Sequence, residues 1–485
     1  MTIRRRLIVA TLMLTGVGAA LVSLRSCNEA ALQKYVAELR ARGERLSVAE
    51  LTAGYSPSSP EWSRELTNRV AALGPSPANA GNLHLAEFTP PNLAQVAWKL
   101  PRPPWTLEDA KRTNTTLSWL ELSTHVATVR PTLRQVQELL ERPAPNSGPS
   151  TNWFDFRPVW QEMRSAAGWL ACETLVSLRE GRKADALASV RAVAGLAKMH
   201  WEDYALAQQM ACVAVAEVGL ELTWESLQAE GWSEEQLAAL QRGWEEHDLV
   251  GAAAVGLQGE RVLPLVCLSM IRERHQRAGG ASGFSGITKP TWPFNQGFSS
   301  FYRNVALPND ALYGLRHIQR EVELVRELRD GRAYREVWAA ITQHEAVLAA
   351  KAKSATRIFY PISLLTLPAY EKAVTRGAKV EMNRRLAVTA TALHRYRLRH
   401  GHWPRQLAML SPDFLRHVPR DCMDGQPLKY RVNKDGTFTL YSVGVDGIDQ
   451  GGDPVPVKPG LTGLGDGLDA VWPTAQPAQE KKTAL

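Results

Sequence analysis

Between residues 386 and 472 the hydrophobic period of the chain changes from that of a helix to that of a strand, and this switch constrains the fold more than any other feature. Met382, Leu386, Thr389, Leu393 and Tyr396 recur on one helical face, while Arg384, Arg385, Arg395 and Arg399 lie mainly off it. Pro368 suits the first turn of this helix, where a missing amide is harmless, and Gly401 stops it beyond Arg399. Downstream, Leu428, Tyr430 and Val432 alternate with Lys429 and Arg431. Phe438, Leu440 and Ser442 alternate with Thr439, Tyr441 and Val443, and Asp435-Gly436 supplies the connecting turn. A lone hairpin is marginal in water, so its apolar face needs a cover, and the stripe of the preceding helix is the nearest one. Residues 376–472 are therefore expected to form a small α+β module.

Upstream the pattern is helical. Met163, Ala167, Leu170 and Thr174 share a face, as do Leu187, Val190, Ala194 and Ala197 after the Gly181-Arg182 turn, which predicts an antiparallel helical hairpin. The second arm has the small-residue and leucine rhythm of tetratricopeptide-like repeats. Further helices are expected over residues 204–230, 233–246 and 251–277, then near Asn309 and over 332–352. Ser233 and Gln236 have the spacing of a capping box. The fold class is thus mainly α, a helical array over 151–375, carrying the C-terminal module.

The first 150 residues read as an anchor and a loop-rich lead-in. Arg4, Arg5 and Arg6 precede an uncharged apolar run at 7–24, long enough to cross a bilayer, and Arg25 follows it. This asymmetry predicts a cytoplasmic N-terminus and an exported body. A single-pass anchor, a cleaved signal peptide and lipid attachment at Cys27 are the three readings of residues 1–27. A short helix is expected over 29–42, prolines break the chain at 90–104, and helical spacing returns over 106–142. The tail at 473–485 has too little apolar content to fold. With 45% hydrophobic and 22% charged residues, the remainder has the composition of a folding chain.

The net charge of +8 is dispersed among nearly equal numbers of acidic and basic groups, which reads as solvated faces, and no nucleic-acid partner is expected. Cys27, Cys172, Cys212, Cys267 and Cys422 are widely spaced, so neither zinc nor a redox pair is indicated, and Cys172, Cys212 and Cys267 read as packing residues. His394, His400 and His402 do not share one helical face and read as exposed or capping groups. Trp292, Phe294, Phe298 and Phe301 lie on or beside a Gly- and Pro-rich surface loop and are read as pinning it to its own scaffold.

"LHRYRLRHGHWPRQLAML", "VPRDCMDGQPLKYRV", "LYSVGVDGIDQGGD" and "DGLDAVWP", in that order, resemble the C-terminal globular part of the major pseudopilins of type II secretion. The whole arrangement, including Gly259-Glu260-Arg261, resembles envelope proteins of planctomycete and verrucomicrobial type that append such a module to a helical body. The pseudopilin resemblance implies calcium in the acidic loop, with Asp446, Asp449, Asp453, Asp466 and Asp469 as the candidate ligands. A flexible loop offering six to eight oxygens is what calcium requires.

No His-Glu-x-x-His, Gly-x-x-x-x-Gly-Lys or Gly-x-Ser-x-Gly pattern occurs. The expected function is a membrane-anchored, periplasm-facing scaffold or interaction protein, joined to the inner membrane and partnered by envelope or secretion-system proteins. The enzymatic alternative is a periplasmic glycan-processing enzyme, for which Glu225-Ser226 is the sequence hint and a carboxylic acid of raised pKa the chemical requirement.

Overall fold

The computed structural model describes residues 3–53, 60–74, 76, 119–142, 159–198, 204–277, 301–367, 370–455 and 465–472. It is mainly helical with one small antiparallel sheet. The proline-rich stretch at 90–104, Trp292, Phe294, Phe298 and the tail lie outside the described residues. So does the predicted helical start at 106–118.

Helix α1 (Ile3–Ala41) merges the expected membrane run and the expected helix at 29–42 into one rod. Short α2 (Val48–Thr52), α3 (Pro60–Leu73) and α4 (Trp119–Glu141) follow. Then α5 (Val159–Arg179) and α6 (Lys183–Lys198) form the predicted hairpin, with Gly181 at φ +76° in the turn between them. The predicted stripe of Met163, Ala167, Leu170 and Thr174 is buried, as are Val190, Ala194 and Ala197.

Helix α7 (Leu206–Gln228) is buried on nearly every side because alanine and glycine let its neighbours close in. At Gly219 there is no room for a Cβ beside the Trp244 ring. The capping box of Ser233 and Gln236 opens α8 (Glu234–Glu245). Where one helix was expected over 251–277 there are two, α9 (Leu249–Glu260) and α10 (Leu263–Arg277). The break at Arg261-Val262 has two causes. Pro264 fits only the first turn of a new helix, and the Arg261 side chain is drawn fully into the interior by acceptors on the turn after α1 and on α11. An apolar stretch within Glu234–Glu273 passes a length-and-composition test for crossing a membrane. It is divided among α8, α9 and α10, however, and α9 is a core helix whose residues are mostly buried.

A π-helical turn (Tyr302–Ala306) leads into α11 (Leu307–Arg329), and α12 (Tyr334–Lys353) returns beside it. Asp310 of α11 accepts the backbone amides of Ile362 and Ser363 at 3.0 and 3.1 Å, fastening the first turn of α13 (Pro361–Thr366). Helix α14 (Tyr370–His400) then runs through the middle of the body. Gly401 ends it at φ +77°, and its amide donates to the Arg397 carbonyl at 2.8 Å.

The hairpin of β1 (Lys429–Val432) and β2 (Phe438–Ser442) has Tyr430 opposite Leu440, as the alternation predicts, and β3 (Ala470–Val471) pairs with the other edge of β2. The helical cover is the last part of α14 together with Trp403. The Trp403 ring lies 4.7 Å from Phe438 and its indole N–H donates to the Gly436 carbonyl at 2.8 Å. Gly444, at φ +69°, passes so close to the Leu468 carbonyl that a side chain there is excluded.

The expected change of unit at residue 376 falls inside α14. One continuous apolar cluster runs from Trp62 through α5–α9 and α14 to Leu440 and Trp472. The reason is that α14 is buried on more than its predicted stripe. Ala373, Gly377 and Ala378 admit α7 and α9 on one side, while Leu386 and Leu393 join the core that reaches the sheet. A second cluster holds Leu32 and Leu39 of α1 against Leu268, Ile271, Leu312 and Leu315 of α10 and α11.

Candidate functional site

The five aspartates expected to bind calcium are all placed. Asp446 accepts the Ile448 amide at 2.9 Å and the Gln450 side chain at 2.8 Å. Asp449 accepts the Gly451 amide at 2.9 Å and the Tyr441 hydroxyl at 3.0 Å. Asp453 accepts the Val455 amide at 2.9 Å, and Asp466 is paired with Lys379 of α14. Asp469 is fully buried and accepts amides of Gln450, Gly452 and Asp453 at 2.7–3.3 Å. The loop is thus built as a nest of amides around Asp469, with Asp446, Asp449 and Asp453 closing Asx turns. These five residues do not form a group with ligand atoms in mutual reach among the described residues. Asp469→Asn should lower stability by about 2–3 kcal/mol, since hydrogen bonds to a charged group are the stronger kind. Urea unfolding followed at the tyrosine signal measures it, and a loss below about 0.5 kcal/mol would refute the structural role.

A sixth aspartate, Asp421, ties the preceding turn to the sheet through the Ser442 hydroxyl at 2.8 Å and the Val443 amide at 3.0 Å. The same turn reaches the helical body, because the Tyr334 and Arg335 amides at the start of α12 donate to the Cys422 and Met423 carbonyls at 2.9 and 3.2 Å. Cys422 is buried and free.

The three sequence-adjacent histidines do not converge on a metal group. His400 and His402 are exposed, whereas His394 is half-buried with its ring against Trp403 and Phe438. Burial pulls the His394 pKa down to about 4. Most described tryptophans, including Trp169, Trp224, Trp244 and Trp472, are core residues.

A site that sequence reading passed over lies between α11 and α12. His317 and Glu321 are four residues apart on α11 and so share a face. His344 and Glu345 face them from α12. The two imidazoles stack with centroids 3.9 Å apart, and His317 Nε2 lies 3.5 Å from Glu345 Oε1. His317 and Glu321 are 3% and 0% exposed, yet His317 Nε2, both Glu321 oxygens, His344 Nε2 and Glu345 Oε1 are buried without a hydrogen-bond partner. A buried polar atom left unpaired costs about 1–3 kcal/mol, so five in one place mark an unsatisfied demand for a ligand. Burial, then the neighbouring His344, pulls the His317 pKa down to about 3, so the ring is neutral with a lone pair to give. Burial, then Glu345, pushes the Glu321 carboxyl up to about 8. The readable signal was the His-x-x-x-Glu spacing at 317–321 followed by the His-Glu pair at 344–345.

A second acid of raised pKa, half-buried, lies on α7. Glu221 is pushed up to about 8 by burial, with Glu217 and Glu225 adding to it. Ser226, beside Glu225, is fully buried and its hydroxyl donates to the Leu222 carbonyl at 2.8 Å, so the Glu225-Ser226 pair is part of the helix packing. Comparison of the chain with known protein families, with curated proteins and with solved structures finds no match.

Proposed function

We propose that this chain is a membrane-anchored, periplasm-facing scaffold or interaction protein whose α-helical array presents a pseudopilin-like C-terminal module to envelope or secretion-system proteins. The observation that carries the reading is α1. At 1.5 Å per residue its 39 residues measure about 58 Å. Its first buried described side chain is Leu32, and Val22 and Leu24 are exposed at 66% and 43%. A helix that leaves the body before residue 28 and continues through the uncharged run has the length to cross a hydrocarbon core of about 30 Å. The order of α14, Trp403, hairpin, Asp-Gly loop and β3 supports the pseudopilin-like reading of the module.

Cell fractionation tests the anchor. The full chain should sediment with membranes and resist carbonate extraction, and deletion of residues 1–27 should release a soluble body. A C-terminal alkaline phosphatase fusion should be active, since that enzyme matures only outside the cytoplasm. Soluble full-length chain, or an inactive fusion beside an active cytoplasmic reporter, would overturn the reading.

Calcium in the acidic loop belongs to the same proposal. Binding there requires carboxylates to turn from amides toward the ion, so millimolar calcium should raise the melting temperature and Asp449→Asn should abolish the rise. An unchanged melting temperature removes the ion from the module. Glu221 keeps a glycan-processing enzyme as the second reading, because a carboxyl that stays protonated near neutral pH is the acid such chemistry needs. Release of muropeptides from purified sacculi, reduced about 100-fold or more by Glu221→Gln, would support it, and no release would dismiss it.

A further inference from the structure

Among the described residues, one group of His and Glu side chains brings its ligand atoms within 4.8 Å of one another, namely His317, Glu321 and His344. Glu345 adds a fourth donor, 3.5 Å from His317 Nε2. We propose that His317, Glu321, His344 and Glu345 bind one divalent transition-metal ion of the zinc class, clamping α11 to α12.

Three independent features point the same way. The first is donor chemistry. Two imidazoles with two carboxylates suit zinc and its neighbours, whereas calcium and magnesium take oxygen ligands. The second is geometry. A tetrahedral zinc with bonds of 2.0–2.1 Å sets its ligand atoms about 3.3 Å apart. The His317–Glu345 separation of 3.5 Å is already close to that, while the ligand atoms of His317, Glu321 and His344, within 4.8 Å of one another, and the stacked imidazoles must shift by about 1–2 Å to close on the ion. The third is satisfaction. The atoms that would ligate are the same atoms that lack a hydrogen-bond partner, and His317 and Glu321 are more than nine-tenths buried. His344 Nε2 is among these unpartnered atoms and so is free to coordinate.

Charge is balanced as well. One dication neutralises the two ligating carboxylates, and of the other charges that act on Glu321, Arg320 favours its ionised form and Glu371 opposes it. His344 and Glu345 are half-buried, so the ion enters from solvent on the α12 side. Four protein ligands fill a tetrahedron, which makes the site structural in kind.

The test uses the full-length chain in detergent, stripped with a chelator and titrated with zinc chloride by calorimetry, with melting followed in parallel. The expected result is one zinc per chain and a melting temperature raised by zinc but not by equal magnesium. Glu321→Gln keeps the side-chain shape, and His344→Ala changes a half-exposed position, so both should fold by circular dichroism. Each should weaken zinc binding by more than about 100-fold, beyond the 10–100-fold that loss of an outer-shell partner costs. Failure of the folded parent to take up zinc would overturn the proposal. So would zinc binding of undiminished affinity in both folded variants.

Discussion

Glu44→Gln should cost the chain about 3–5 kcal/mol, the range found when one partner of a buried ion pair is removed. Glu44 follows α1 and meets Arg261 at 2.6 Å; the Arg261 side chain is completely buried and also donates to Gln319 at 2.6 Å and to the Arg45 carbonyl at 3.0 Å. Arg326 Nη2 reaches the same carboxylate at 3.0 Å. Glutamine keeps the shape but leaves the Arg261 guanidinium in the interior with neutral acceptors alone. Burial alone would raise the Glu44 pKa, but the hydrogen bonds and charges of Arg326 and Arg261 outweigh it and hold the carboxyl at about 2, against 4.5 for the free group. Because the folded pKa is the lower one, the stabilisation is present above pH 4.5 and is lost as pH falls from there toward 2. Urea unfolding at a series of pH values should show this decline in the parent and a flatter profile in the variant. A loss below about 1 kcal/mol at neutral pH would mean that Arg261 is held by its neutral acceptors.

Trp472→Ala should remove about 3–5 kcal/mol, as truncation of a buried large aromatic does. The ring is 1% exposed, and the Trp472 amide donates to the Leu440 carbonyl at 2.8 Å, extending the β2–β3 pairing. The manner of melting is as informative as the amount. Since the apolar cluster is continuous from Trp62 to Trp472, the sheet and the helical body should unfold in one calorimetric transition, and the variant should move that whole transition downward. A separate low-temperature peak that alone shifts would show that the sheet melts independently.

Local chemistry was the legible part of the fold. The hairpin at Gly181, the capping box at Ser233, the strand register about Asp435-Gly436 and the helix stop at Gly401 each follow from a few adjacent residues, and each is where the sequence puts it. What escaped depends on partners remote in the chain. The break at Arg261 is decided by Glu44 and Gln319, which lie 217 and 58 residues away. The breadth of burial on α14 comes from small residues whose significance appears only once α7 and α9 lie against them. The aspartates of the acidic loop stand out in the sequence as calcium ligands, whereas the structure pairs them with amides, the Tyr441 hydroxyl and Lys379, because whether a carboxylate meets an amide or an ion is a matter of backbone path. The His317 cluster was missed because its halves sit on two helices, and each half alone reads as an ordinary polar patch on an amphipathic surface.

The two carbonyls that receive the first amides of α12 connect distant parts of the molecule. Helix α12 carries His344 and Glu345 and begins on the Cys422-Met423 turn, which Asp421 in turn fastens to β2. A tug on the sheet is therefore transmitted as an uncapping of that helix rather than absorbed by slack chain. Any partner that grips the C-terminal strands pulls on a strut whose far end bears two of the four proposed ligands, so load at the surface and occupancy between the helices should report on each other.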